Sequence, residues 1–112
     1  MTDGGGSGSG GFKLLVHPAA RSEWERLDNS IKSPFRKKLA KLLDGTAAPS
    51  PHDALAGFPP GYFKIKLRKS GYRLVYFYAE DDLQILMIAV GKRERHVVYE
   101  KAKSRQAPRD AT

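Results

Sequence analysis

The stretch YFKIKLR at residues 62–68 constrains the fold most, because apolar and charged residues alternate along it with a period of two. Successive side chains of a β-strand point to opposite faces of the sheet. One face therefore holds Phe63, Ile65 and Leu67. The other face holds Tyr62, Lys64, Lys66 and Arg68. The pattern predicts a strand that packs one face on a core and presents a row of positive charges on the other.

Two more strands are predicted after this one. Lys69-Ser70-Gly71 is typical of a tight hairpin turn, and the residues from 72 to 79 then form the partner strand. An acidic turn at 80–82 leads to LQILMIAV at 83–90, which is almost continuously apolar. Such a run favours an inner strand that is covered on both faces.

The N-terminal half predicts one strand and two helices. FKLLVH at 12–17 is a short apolar strand, and Pro18 can open the helix that follows. Ala20, Trp24 and Leu27 form the apolar stripe of this first helix. A second helix begins after the capping residues 28–30, with its own stripe at Ile31, Phe35, Leu39, Leu42 and Leu43. The order β-α-α-β-β-β predicts an α+β fold, with an antiparallel helix hairpin laid on a small, largely antiparallel sheet.

A chain of 112 residues is long enough for one domain with one core. The Gly/Ser run at residues 1–11 predicts a flexible linker or a cloning scar, residues 12–105 the folded domain, and residues 106–112 a disordered tail. The hydrophobic signal stops at GKRERHVVYEKAK, so no element is predicted after residue 90.

Charge and composition narrow the function. Lys and Arg outnumber Asp and Glu by 20 to 12, and residues 61–105 alone contain eleven basic and five acidic residues. This excess favours a nucleic acid, an anionic surface or an acidic protein as the partner. The absence of cysteine excludes disulfides and thiol chemistry, and three scattered histidines argue against a metal site. No apolar run approaches the roughly 18 residues of a membrane span, and the N-terminus lacks a secretory signal, so we expect a cytoplasmic protein without a cofactor.

Three basic clusters and one tyrosine are the candidate site. Lys64, Lys66 and Arg68 recur every roughly 6–7 Å along a strand, close to the spacing of phosphates on a single nucleic-acid strand. Arg73 follows the hairpin turn, and Arg93, Arg95 and Tyr99 follow the apolar strand. Cations that bind the backbone, together with an aromatic ring that stacks on bases, are typical of single-stranded nucleic-acid grooves.

Each of these features also has a structural interpretation. Taken alone, the alternating lysines are typical of the solvated face of an amphipathic strand, and KRER of a solvated turn. Tyr99 lies beside Val97 and Val98 and so also fits a core or edge position. Tyr72, Tyr76 and Tyr78 are interpreted as strand packing.

Two long stretches carry a resemblance to a known family. YFKIKLRKSGYRLVY at 62–76 and VGKRERHVVYEKA at 90–102, supported by Trp24 and by LAG at 55–57, resemble the RelE branch of the RelE/ParE toxin superfamily. The resemblance extends from Phe12 to about Lys103. It implies a toxin of a type II toxin–antitoxin system that cuts mRNA in the ribosomal A site without a metal. It also implies a cognate antitoxin that holds the toxin inactive.

The resemblance implies a role for each residue of the catalytic set. Lys64 and Lys66 would contact phosphate and stabilise developing charge, and Arg73 would hold the scissile phosphate. Arg93 would stabilise the transition state or protonate the leaving oxygen. Tyr99 would stack on a base or accept the proton of the ribose 2′-hydroxyl. Further RNA contacts are assigned to Arg68, Lys92, Arg95 and His96.

Two positions depart from the family pattern. Ala56 stands where relatives often carry an arginine, which removes one RNA contact. His96 stands where a small polar residue is expected, and is either a surface residue or an additional acid or base. These differences bear on rate and codon preference more than on the reaction.

Two other functions stay open on the sequence. A ParE-like toxin would inhibit DNA gyrase without cleaving RNA, although the full set of two lysines, two arginines and a tyrosine favours RNA cleavage. A non-catalytic module would use the same basic sheet to bind RNA or the ribosome.

Overall fold

A computed structural model gives the structure of residues 11–92 and 97–105. The strands are β1 (Lys13–Val16), β2 (Tyr62–Leu67), β3 (Tyr72–Ala79) and β4 (Gln84–Lys92). The helices are α1 (Pro18–Glu25), α2 (Asn29–Leu43) and α3 (Val97–Ser104). The predicted α+β class and element order are confirmed as far as β4, whereas α3 is a helix that the sequence pattern did not predict. The expectations for the leader and the tail fall on residues 1–10 and 106–112, outside the described residues.

The four strands form one mixed sheet in the order β1-β4-β3-β2. β4 pairs in parallel with β1 and antiparallel with β3, and β3 pairs antiparallel with β2. Residues 85–90 of β4 are all buried, so the prediction of an inner strand covered on both faces is confirmed. β4 begins at Gln84 and not at 83, because Leu83 (φ 53°) adopts a left-handed conformation that closes the acidic turn.

The first two helices cover one face of the sheet. His17 caps α1 by accepting a hydrogen bond from the Ala19 amide at 3.1 Å, and Asp28 caps α2 by accepting one from the Ser30 amide at 2.9 Å. The rings of Trp24 and Phe35 lie 6.2 Å apart, which joins the two helices. Their apolar stripes pack on a set of strand residues that includes Ile65, Leu67, Leu74, Tyr76, Ile85 and Met87. We call this set with its helical partners the helix-side core.

A second core lies on the opposite face, because its strand residues alternate with those of the helix-side core. Val75, Leu86, Ile88 and Ala89 pack there with Val98 and Ala102 of α3. We call this set the α3-side core. Tyr62 belongs to it and is 2% exposed, with the rings of Phe58 and Phe77 at 5.3 and 5.0 Å. Tyr62 lies on the same face of β2 as Lys64 and Lys66, but unlike them it is buried. This face of the sheet is therefore partly covered by the α3-side core.

Within residues 11–92 and 97–105, no helix has the length and apolar character needed to cross a bilayer.

Candidate nucleic-acid interface

The β2–β3 hairpin brings the first predicted cations together. Gly71 (φ 79°) closes the turn, and its amide donates to the Leu67 carbonyl at 2.8 Å. The register that follows places Lys66 directly opposite Arg73. Side chains at such positions share a face, with Cβ atoms roughly 4.5–5.5 Å apart. Lys64 follows on the same face one period along β2, and we call Lys64, Lys66 and Arg73 the basic sheet end.

Arg73 lies on an inner strand and is only partly exposed. Its Nη1 donates to the Tyr72 carbonyl at 3.2 Å. Its Nε is buried and has no hydrogen-bond partner among the described residues. A buried donor that lacks a partner is costly, and an anionic oxygen within reach of the guanidinium would offset that cost. Arg73 therefore has the environment expected of an anion-binding residue.

Lys64 and Lys66 also line a groove at the outer edge of β2, together with further cations. The groove has a volume of about 380 Å³ and runs between α2 and β2. Five basic residues line it: Lys38, Lys41, Lys64, Lys66 and Arg68. Asp53 is the acidic residue of the lining. The Lys64 ammonium also points toward the His52 carbonyl, at the long distance of 3.5 Å. Such a lining attracts polyanions, and it continues from the basic sheet end around the edge of the sheet.

Tyr99 reaches the same face of the sheet on α3. It is partly buried and packs against the α3-side core, on the face that also carries Arg73. Tyr76 and Tyr78 of β3 lie on the opposite face of the sheet from Tyr99. Burial, followed by the negative charge of Asp53 and by Tyr78, raises the pKa of Tyr76. Burial and the charge of Glu80 also raise the pKa of Tyr78. Both phenols lie in or against the helix-side core, as predicted, and are unsuited to accept a proton.

The remaining predicted residues are placed as follows. Arg68 is exposed at the end of β2 and lines the groove. Lys92 pairs with Tyr72, which packs on the helix-side core, so the register puts Lys92 on the face opposite Arg73. Arg93, Arg95 and His96 lie outside the described residues. Ala56 is exposed in the loop before β2.

Sequence reasoning missed the contribution of α2 to the site. Lys38 and Lys41 lie off the apolar stripe of α2, and both line the groove together with residues of β2. Their spacing of three, which puts both on one side of a helix, was the available signal. Among the described residues there is no group of three or more His, Cys, Asp or Glu side chains that could hold a metal ion.

The fold and this surface define a class of protein: a small α+β domain with helices on both faces of a four-stranded sheet and a cationic surface suited to a polyanion. Comparison with known families narrows the class. The family model for the ParE toxin of type II toxin–antitoxin systems matches residues 14–97. A RelE-like toxin protein of Escherichia coli is 48% identical over 94 residues, which cover 84% of this chain and 96% of that protein. The mRNA interferase toxin RelE of Escherichia coli is 41% identical over 86 residues, covering 77% and 87%.

Solved structures agree with these matches. A mutant Escherichia coli toxin RelE in the free state superimposes with a TM-score of 0.74 at 34% identity, covering 87% of this chain and 99% of that one. RelE in the intact Escherichia coli RelBE toxin–antitoxin complex gives 0.66 at 36% identity, covering 75% and 99%. This chain belongs to the RelE family of toxins of type II toxin–antitoxin systems. The resemblance drawn from residues 62–76 and 90–102 is thereby confirmed.

Proposed function

We propose that this protein is a toxin that cleaves mRNA in the ribosomal A site and so stops translation. Relatives named as mRNA interferases support this function. The observation that carries it is the placement of Lys66 opposite Arg73, on the sheet face to which α3 brings Tyr99. That arrangement provides cations for a phosphate and a phenol for a base or a ribose hydroxyl.

The reaction fits these groups. The ribose 2′-oxygen attacks the adjacent phosphorus and loses its proton, while the bond to the 5′-oxygen breaks and that oxygen gains a proton. Negative charge grows on the non-bridging oxygens in the transition state, where Lys66 and Arg73 would stabilise it. Tyr99 would accept the 2′ proton or stack on a neighbouring base. Arg93 would stabilise the transition state or protonate the leaving 5′-oxygen. Lys64 would bind a flanking phosphate.

The proposed dependence on the ribosome follows from the catalytic groups that the site lacks. The proposed catalytic set contains neither histidine nor carboxylate, so activity relies on holding the RNA in a reactive geometry. A ribosome that fixes the A-site codon supplies that orientation. Holding reacting groups in the correct geometry can by itself accelerate a reaction by orders of magnitude. The protein would therefore act in the cytoplasm, where mRNA is translated.

A cognate antitoxin is the second proposed partner. RelE of Escherichia coli has been solved in complex with its antitoxin. An acidic or amphipathic segment would complement the basic sheet end and the groove of this toxin. Bound there, it would exclude RNA by occupying the same cations.

The test uses purified protein and ribosomes stalled with a defined codon in the A site, with the 3′ ends of the mRNA mapped. We expect cuts within that codon, and none when the attacking ribose lacks its 2′-hydroxyl. Tyr99→Phe keeps the ring and removes the hydroxyl, so it should slow cleavage by about 10²–10⁴-fold if the phenol is the base. Lys66→Ala should weaken cleavage, whereas Lys69→Ala, which removes an exposed charge in the adjacent turn, is the matched control.

Other outcomes would assign another function. Intact mRNA combined with inhibition of gyrase in a supercoiling assay would favour the gyrase-directed activity of ParE toxins, whose family model this chain matches. Intact mRNA with retained ribosome binding would indicate a binding module. Full cleavage by Tyr99→Phe and Lys66→Ala would show that the proposed site is wrong.

A further inference from the structure

The outer edge of β4 loses its strand partner halfway along the sheet. β1 ends at Val16, which pairs with Met87, and the His17 amide donates to the Met87 carbonyl at 2.9 Å. Ile88 is also an extra residue relative to β3, because Tyr76 pairs with Met87 and Val75 with Ala89. Backbone groups from Ile88 onward therefore need partners other than β1.

Two side chains that are 82 positions apart supply those partners. The Val90 amide donates to Glu23 Oε1 at 3.2 Å, and Arg105 Nη1 donates to the Ile88 carbonyl at 3.2 Å. Arg105 also donates to both carboxylate oxygens of Glu23, at 2.9 and 2.8 Å. The two side chains are only 11% and 15% exposed. We call them the Glu23–Arg105 pair.

The pair joins the two layers of helices around the edge of the sheet. Glu23 belongs to α1, whose Ala20 and Trp24 pack in the helix-side core, and Arg105 follows directly after α3. α3 has eight residues, which is too short for a helix to be stable without tertiary contacts. The position of α3 therefore depends on its tertiary contacts with the rest of the domain.

α3 makes its other contacts through side chains along the helix. Val98 and Ala102 are 2% and 0% exposed in the α3-side core, and the Lys103 ammonium lies 5.8 Å from the centre of the Phe58 ring. Lys101 adds an ion pair with Glu23 at 3.4 Å, but its side chain is 50% exposed and contributes little. Arg105 is thus the residue through which the C-terminal end of α3 is fixed to β4 and α1.

We propose that Glu23 and Arg105 are positioning residues for the reaction: their ion pair fixes α3 on the sheet and thereby sets where Tyr99 stands relative to Arg73. Neither residue lines the groove or belongs to the basic sheet end, so we expect neither to contact the RNA. Their effect on cleavage passes through α3. This role rests on the proposed function, whereas the attachment of α3 itself does not.

The first test measures the position of α3 directly. A fluorinated tyrosine replaces Tyr99 in one sample and Tyr76, in the helix-side core, in a control sample. Fluorine NMR spectra of each folded protein are compared with spectra of the same protein unfolded in urea. Arg105→Ala should move the Tyr99 signal at least halfway toward its urea value and leave the Tyr76 signal in place. Arg105→Lys keeps the charge but loses the planar fork that donates to both oxygens of Glu23, so it should give a smaller shift. Glu25→Gln, an exposed charge on α1, should move neither signal.

The second test measures cleavage on stalled ribosomes. Arg105→Ala should lower the single-turnover rate at saturating ribosomes by at least about tenfold, since small misplacements of a reacting group cost that much or more. The ribosome concentration at half-saturation should change by less than about threefold, because no RNA contact is removed. Arg105→Lys should restore part of the rate.

An unmoved Tyr99 signal in Arg105→Ala would overturn the proposal, and so would a loss of activity that lies entirely in ribosome affinity. Movement of both fluorine signals would mean that the alanine variant unfolds, and Arg105→Lys and Glu23→Gln then decide by the same criterion. If the parent protein cleaves no mRNA, the proposed function fails. The NMR comparison still decides whether the pair fixes α3.

Discussion

Replacing Glu23 by glutamine isolates the electrostatic part of the Glu23–Arg105 pair. Glutamine keeps an oxygen for the Val90 amide but loses the charge that faces the Arg105 guanidinium at 2.8 and 2.9 Å. A hydrogen bond to a charged group contributes about 1.5–3 kcal/mol and a neutral one about 0.5–1.5 kcal/mol. The low exposure of both side chains limits screening by solvent. Glu23→Gln should therefore lower the free energy of unfolding near neutral pH by about 1–2 kcal/mol.

The effect should depend on pH in a defined direction. Burial alone would raise the pKa of Glu23, but the hydrogen bonds from Arg105 and Val90 and the charges of Arg105 and Lys101 outweigh it and lower the pKa from 4.5. A carboxyl with a lowered pKa stabilises the fold above its unfolded pKa, and that stabilisation is lost as the pH falls through the folded value. The difference between parent and Glu23→Gln should thus be constant near neutral pH and shrink below about pH 4.5.

Urea denaturation of both proteins across this range measures the difference, with Glu25→Gln as a control that removes an exposed charge from the same helix. A difference that stays the same in acid would refute the reasoning, because a protonated Glu23 is nearly equivalent to glutamine. A difference of zero near neutral pH would refute it as well, since the pair would then contribute nothing.

Three further predictions concern packing, backbone and RNA binding. Phe35→Ala empties a site that is 0% exposed and should cost about 3–5 kcal/mol in urea denaturation. Gly61→Ala should destabilise more than Gly45→Ala: both glycines have positive φ, but a Cβ at Gly61 would lie 2.7 Å from the Phe77 ring, whereas one at Gly45 would meet nothing within 4 Å. Thermal unfolding of both variants checks that order. Lys66→Ala should reduce the dependence of ribosome binding on salt, with a log–log slope smaller by about 0.7, as expected for one lost phosphate contact.

Local periodicity was sufficient to predict most of the sheet. The alternation of β2 correctly assigned Ile65 and Leu67 to one core and Lys64 and Lys66 to the opposite face, because the period of a strand depends only on its backbone. The same alternation could not reveal that Tyr62 is buried. Phe58 contacts it from the loop before β2, whose course a strand pattern does not predict, and the core that it shares with Val98 and Ala102 of α3 joins residues that are distant in sequence.

α3 was missed because its local signal is weak. An eight-residue helix with two fully buried residues, Val98 and Ala102, shows only one apolar repeat at a spacing of four. Its stability comes from the sheet beneath it and from Arg105, which pairs with Glu23 in the first helix. No pattern within a short window contains a contact between residues so far apart, so neither the helix nor its anchor was predictable in this way.

The β2 cations alone do not establish an RNA site, because charges on an edge strand also have a structural use. Lys64, Lys66 and Arg68 lie on the outermost strand of the sheet, where charge prevents pairing with other chains.

Arg73 has no such explanation. It lies on β3, between β2 and β4, where a positive charge costs desolvation and gives no protection to an edge. Its buried Nε lacks a partner among the described residues, and the cation opposite it, Lys66, adds repulsion. A bound phosphate would supply the missing partner and offset the repulsion, which supports the proposal that Arg73 binds an anion. Arg73→Met, which keeps the apolar stem and removes the charge, should therefore leave the protein as stable as the parent or more so while it loses cleavage. Clear destabilisation in urea would mean that Arg73 is structural.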